Sequence, residues 1–248
     1  MIVGTTSEAS AFFATIAAED GYQLTACGSW RVHEIVAHLA AGAAEITRNL
    51  KAYTAGGANA VPPTRGFDER EQPYRAMAFG ELRDSLHADH DQLTESLSTV
   101  LNADPNAVTP WTGRQMPVRS FITHMRSEFA LHRWDIIGDD ETSTELLSQE
   151  DLTHHAVHAL GPALVARGAR NGAAQRVVLT CPGRQPIGAT TNGLAYLDYD
   201  PHDDTVVLTA DDPAARLLVL WGRTPNRPGR LQSNAPDFQQ GGKLLAGY

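Results

Sequence analysis

Residues 118–137 read VRSFITHMRSEFALHRWDII, with Val118, Phe121, Ile122, Met125, Phe129 and Ile136 recurring at spacings of three and four. That period lines them up along one stripe, so the segment predicts an amphipathic helix from Val118 to Ile137. Pro117 suits its first turn, where a missing N–H costs nothing. Two polar residues interrupt the apolar face. At about 100° per residue, Glu128 and His132 fall within about 20° of Phe121. A carboxylate and an imidazole therefore point into the same interior, where an unpartnered polar group costs about 1–3 kcal/mol or more. Their i, i+4 spacing stacks them on one face, the arrangement from which helical bundles build metal sites.

Working outward, three further segments carry the same period. Ser7 to Asp20 offers Ala11, Phe12, Ile16 and Ala17 to one side. A second helix, with Ser29 as N-cap, carries Val32, Ile35, Val36, Leu39, Ala43, Ile46 and Leu50 and runs to about Tyr53. The stretch TAGGANAVPPTRGFDEREQP (54–73) is rich in Gly, Pro and charge and reads as a long loop of the kind that borders binding sites. A third helix, from about Met77 to Leu101, aligns Phe79, Leu82, Leu86, Leu93, Leu97 and Val100. NADPNAVTPWTGRQMP (102–117) reads as turns. Four amphipathic helices of this kind pack most economically as a four-helix bundle, assigned to residues 1–144.

From residue 145 the texture changes. ELLSQEDLTHHAVHALGPALVARG (145–168) reads as one helix, and QRVVLTC, GLAYLDYD and DTVVLTA show the β-branched and aromatic content of strands. DDPAARLLVLWGR (211–223) reads as a helix whose positive N-terminal end suits Asp211 and Asp212. An LQSNA strand and a short terminal helix complete a small α/β (α+β) domain over 145–248. The fold class is thus α+β.

The 248 residues are 42% apolar, enough to bury two cores. A formal charge of −9 repels phosphate backbones and argues against a nucleic-acid partner. No apolar run approaches the ~18 residues of a membrane span, and MIVGTTSEAS lacks the basic start and apolar core of a signal peptide, so a cytoplasmic protein is expected. Cys27 and Cys181 form neither a CxxC pair nor a disulfide framework and read as inert small residues.

His38, on the second helix, borders its stripe beside Leu39. Two His and one Glu from two helices would leave a fourth position open for water or substrate, the pattern of a catalytic zinc site. Asp135, in line with Glu128, could hold the His132 imidazole by its other nitrogen. His124 and His90 lie where either could replace His38, and spacing does not select among them. HEIVAH is no zincin motif, since His33 and His38 are five apart and face different flanks. His154, His155 and His158 read as a solvated face. No GxGxxG, Walker or GxSxG pattern occurs.

The segments GSWRVHEIVAHLAAGAAEI (28–46) and MPVRSFITHMRSEFALHRWDI (116–136) resemble the two signature stretches of the mycothiol-dependent maleylpyruvate isomerase family, and LLVLWGR (217–223) resembles the Gly-Arg element of its second domain. The resemblance implies a DinB-like bundle followed by a small α/β domain. It places the family's zinc ligands on His38, Glu128 and His132, and implies that mycothiol, a low-molecular-weight thiol, brings its sulfur to the open metal position. Thiolate addition to a small electrophilic substrate then leads to cis–trans isomerisation or to S-transfer. Arg223 is the candidate in the second domain for binding a carboxylate of substrate or cofactor. Metal-assisted hydrolysis, and a binding protein in which the metal only steadies the bundle, are the competing expectations.

Overall fold

The computed structural model describes residues 4–173, 176–198, 206–235 and 244–246. The chain divides into two compact units, Met1–Ile137 and Gly138–Tyr248.

In the first unit, α1 (Ser7–Ala18), α2 (Val32–Gly56), α4 (Phe79–Ala103) and α5 (Ser120–Ile137) follow the apolar stripes, with a short α3 (Phe67–Arg75) between α2 and α4. Phe12 and Ile16 of α1, Ile35, Leu39 and Leu50 of α2, Leu82 and Leu86 of α4, and Phe121 and Phe129 of α5 are buried in one shared core. Each such side chain contributes about 1.5–3 kcal/mol relative to exposure, so the four stripes specify the bundle. α5 is more than amphipathic: Ser127, Ala130, Leu131 and Trp134 are buried too, enclosing it on nearly every side.

Several local expectations are corrected. The N-cap of α2 is Arg31 rather than Ser29, and the Arg31 N–H donates to Glu34 Oε2 at 2.8 Å. The chain before it turns tightly, with the Trp30 N–H bonded to Cys27 O and Gly28 at φ 61°. Residues 54–73 are not wholly loop: they hold a single 3₁₀ turn at 58–60 and most of α3. The face α3 buries consists of Arg70 and Glu71, so no apolar period announces it. Residues 102–117 contain a hairpin, β1 (Val108–Trp111) and β2 (Arg114–Pro117), turning through Thr112 and Gly113, both at positive φ as a tight two-residue turn requires. Pro117 therefore ends a strand opposite Val108, and α5 starts three residues later, at Ser120.

The second unit is built on a five-stranded sheet in the order β5-β4-β3-β6-β7. Its strands are β3 (Val177–Cys181), β4 (Arg184–Thr190), β5 (Gly193–Tyr196), β6 (Val206–Ala210) and β7 (Leu231–Ser233), and only β3 and β6 run parallel. β4 escapes sequence reading because Pro186 and Gly188 dilute its strand signal. The single helix expected over 145–168 is three: α6 (Glu141–Leu147), α7 (Glu150–His158) and α8 (Gly161–Arg170). The Ser148 N–H folds back on Thr144 O and Glu145 O to end α6, and Pro162, lacking an N–H, fits the first turn of α8. The terminal helix expected beyond LQSNA lies outside the described residues, apart from 244–246. Among the described residues no helix is long and apolar enough to cross a membrane.

α9 (Pro213–Leu220) begins where expected, with Asp212 as N-cap accepting from the Ala215 N–H at 2.8 Å. The same carboxylate pairs with Arg230. Burial alone would raise the Asp212 pKa, but the Ala215 N–H and the Arg230 guanidinium outweigh it and hold the group below its ordinary value. That stabilisation is present at neutral pH and is lost as pH falls through the depressed pKa. Asp212→Ala is expected to cost the second unit about 1–2 kcal/mol in urea unfolding at pH 7, and less in acid.

Candidate metal centre

α2 and α5 bring His38, Glu128 and His132 together: one ligand atom from each lies within 4.8 Å of the other two. His132 Nε2 is 3.3 Å and His38 Nε2 3.5 Å from the same oxygen, Glu128 Oε2. Glu128 and His132 are buried at 6% and 4% exposure, and His38 is partly buried. Trp30 flanks the group from one side, 5.2 Å from the His38 ring and stacked on His132 at 6.2 Å, while Phe67 of α3 stacks on His38 at 5.8 Å.

The second nitrogen of each imidazole is fixed by a carboxylate. His38 Nδ1 is 2.8 Å from Glu71 Oε1, and His132 Nδ1 is 2.8 Å from Asp135 Oδ2. An ionised carboxylate only accepts, so both Nδ1 atoms donate. In the neutral rings each Nε2 then carries a lone pair, and both lone pairs face a carboxylate oxygen. Three acceptors so close repel one another unless a cation or protons lie among them. The pKa directions carry the same message. Burial alone would raise Glu128, yet its contacts with His132 and His38 hold it well below the ordinary carboxylate range. Burial alone would lower His38, yet Glu128 and Glu71 raise it.

The donor set fits a divalent ion. Donors about 2.0–2.1 Å from a tetrahedral zinc stand about 3.3 Å apart, close to the spacings at Glu128 Oε2. Three protein donors, with their outer nitrogens held by Glu71 and Asp135, match an open site with an ordered surround. Glu71 is fully buried and also pairs with Arg75, so α3 places it firmly. Glu71→Gln is expected to weaken metal affinity about 10–100-fold in chelator competition while leaving the helix content unchanged.

The other candidates fall elsewhere. His124 Nε2 stands 3.8 Å from Glu128 Oε1, the opposite carboxylate oxygen. Burial, together with the positive charges of Arg114 and Arg70, outweighs Glu128 and pushes His124 down to about 4, so it stays neutral. His90 packs its ring on Phe13 and Phe129 at 5.4 and 5.5 Å. His33 Nε2 bonds Met77 O at 3.0 Å. Cys27 lies within 4.8 Å of the His132 and Asp135 ligand atoms, a neighbour that sequence spacing does not reveal. Of the three histidines expected on a solvated face, His154 and His158 are exposed, with tilted rings 4.2 Å apart, whereas His155 is buried at 6% exposure because it faces the other side of α7. In the second unit, Arg223 donates from Nη1 to Trp221 O at 3.0 Å. Glu71 went unseen in the sequence because its helix reads as loop; its only signal was a carboxylate in the stretch singled out as bordering a site.

The first unit is thus a helical bundle with an inward His₂Glu donor set, and an α+β unit follows it. The chain belongs to the mycothiol maleylpyruvate isomerase family, whose N-terminal domain matches residues 5–137. Among solved structures, a crystal structure of the mycothiol-dependent maleylpyruvate isomerase aligns with a TM-score of 0.66 at 15% identity, covering 92% of this chain and 88% of that one. A histidine-to-alanine mutant of the mycothiol-dependent maleylpyruvate isomerase aligns with a TM-score of 0.67 at 14% identity and the same coverage. At such identity the likeness speaks for the fold. No curated protein matches the sequence.

Proposed function

We propose that the protein is a cytoplasmic, zinc-dependent, mycothiol-using enzyme that isomerises a small electrophilic substrate, on a DinB-like bundle with His38, Glu128 and His132 as ligands. The observation that carries this reading is the convergence of two imidazole nitrogens on one Glu128 oxygen, with both outer nitrogens tied to carboxylates. Family membership supplies the thiol and the reaction type.

A divalent ion in the site supplies Lewis acidity, which favours thiolate over thiol at neutral pH. The chain's own residues do the rest. Glu71 and Asp135 fix the tautomers that aim both Nε2 atoms inward. Trp30 and Phe67 wall the group with aromatic surface and limit access of water. With the thiol bound there, the chemistry supplied would be reversible thiolate addition to an activated double bond, rotation and loss of the same thiolate restoring the double bond in the other geometry with no net gain or loss of atoms. S-transfer would keep the sulfur attached, the enolate taking up the proton that the thiol had lost. Arg223 is the proposed carboxylate-binding residue of the second unit, since a guanidinium matches a carboxylate edge to edge.

A water-activating hydrolase would turn over without thiol, and a structural zinc would need a fourth protein ligand. The candidate group on α2 and α5 holds three donors among the described residues, which favours an open site. The test is metal content of the purified protein together with isomerisation of a cis-unsaturated keto acid with and without mycothiol. Metal near one equivalent and strict thiol dependence are expected; turnover without thiol, or no bound metal, overturns the reading.

A further inference from the structure

The loop between α1 and α2 brings a second group of donors against α5. The Ala26 N–H donates to Asp135 O at 2.7 Å. The next residue, Cys27, is tied by its own N–H to Thr25 Oγ1 at 3.2 Å, and its carbonyl accepts from the Trp30 N–H at 3.0 Å. Held in this way, Cys27 has its sulfur within 4.8 Å of a ligand atom of His132 and of one of Asp135, and those two atoms lie within the same distance of each other. Asp135 and His132 are buried at 2% and 4% exposure, whereas Cys27 is only partly buried, so the sulfur is the donor most open to solvent.

A thiol, an imidazole and a carboxylate differ in kind from the His₂Glu set beside them. Thiolate is a soft ligand and shifts preference toward thiophilic cations such as cadmium and copper(I), whereas imidazole and carboxylate alone accept many divalent ions. His132 Nδ1 donates to Asp135 Oδ2 at 2.8 Å. Around an ion with bonds of about 2.0–2.3 Å the donors stand about 3.3 Å or more apart, so Asp135 and Nδ1 must part by roughly 0.5 Å as the ion takes the proton's place. The thiol proton leaves to solvent. A neutral imidazole bonded through Nδ1 carries its own proton on Nε2, where it faces Glu128 Oε2 at 3.3 Å as a donor and no longer as a ligand. In its neutral form one ring cannot serve both groups.

We propose that Cys27, His132 and Asp135 form a second metal site, selective for thiophilic cations and mutually exclusive with the His38, Glu128, His132 group. A soft ion seated there takes His132 from the first set and detaches its tether to Asp135, so it inhibits whatever chemistry that set supports. The exclusion rests on the metal reading above; the site itself does not.

The experiment adds cadmium chloride to the full-length, zinc-loaded chain and to the same chain stripped of metal, and reads thiolate-to-cadmium ultraviolet charge transfer together with released zinc. Wild type, Cys27→Ser and Cys181→Ser are compared, with the melting temperature taken on each sample. Wild type and Cys181→Ser are expected to develop the charge-transfer band up to one equivalent and to release zinc as it grows. Cys27→Ser should show no band and should need at least about 10-fold more cadmium to release zinc. A band of wild-type strength in Cys27→Ser, or none in the wild type, overturns the proposal, as does a band that grows while the zinc stays bound. Should Cys27→Ser not fold, Cys181→Ser decides alone, because the chain has two cysteines and Cys27 is the thiol that remains; no band there overturns the site. A wild type that holds no zinc refutes the earlier reading instead, and cadmium added to that chain still decides the role of Cys27 by the band.

Discussion

Replacing His132 with alanine is expected to remove both bound metal and thiol-dependent turnover. Only two of the three donors would remain, and the loss should exceed the about 10–100-fold that removal of an outer partner costs. Two consequences compound it. Asp135, almost fully buried and paired with His132 Nδ1, is left beside a cavity, and Glu128 keeps only His38 and His124 as imidazole neighbours. His38, already raised by Glu128 and Glu71, then binds a proton where the ion would have been. Activity should fall by more than the roughly 10²–10³ lost with a single oxyanion donor, because the charge that favours the thiolate goes with the metal. Metal stoichiometry after dialysis, and kcat/KM with mycothiol, report the two effects separately. A mutant that retains wild-type stoichiometry would remove His132 from the ligand set.

How much of this was legible in sequence follows from what each element buries. α2, α4 and α5 bury aliphatic and aromatic stripes, so their period gave them away to within a few residues. Glu128 and His132 stood out for the opposite reason, as charges placed where the stripe required apolar groups. α3 buries an arginine and a glutamate and therefore mimics a loop. The hairpin after α4 is four residues a side and carries Pro110 and Pro117, which erase the usual strand signal. Choosing among His38, His90 and His124 needs tertiary information. Their helical positions are equivalent on paper, and only the packing sets His90 against Phe13 and Phe129 and turns His124 toward the other Glu128 oxygen. The resemblance to a family made that choice earlier, through motifs rather than periodicity. In the second unit, breaks in the segment 145–168 depend on one backbone turn at Ser148 and on Pro162, single-residue events that an apolar average smooths away.

Phe129→Ala is expected to have the largest effect on stability and little effect on metal. Phe129 follows Glu128 directly, yet its ring points into the core: it is 1% exposed and lies 5.4 Å from Phe12, 5.5 Å from Phe13 and 5.5 Å from His90. Truncation opens a cavity among aromatic neighbours that rigid helices cannot close, at a cost of about 3–5 kcal/mol. For a chain of this size the melting midpoint should drop by roughly 10 °C. α1 loses most, since its Phe12 and Phe13 meet α5 through that ring. The donor set on the neighbouring arc of α5 keeps its own anchors, Asp135 on the same helix and Glu71 on α3, and these do not run through Phe129. Below the transition the mutant should therefore bind metal at wild-type stoichiometry, whereas His132→Ala should lose the ion. Opposite outcomes from residues three apart on one helix would mean that α5 holds the fold with one arc and the chemistry with another. If Phe129→Ala lost metal while still folded, core packing and ligand geometry would be coupled, and the outer carboxylates would not be what orients the imidazoles.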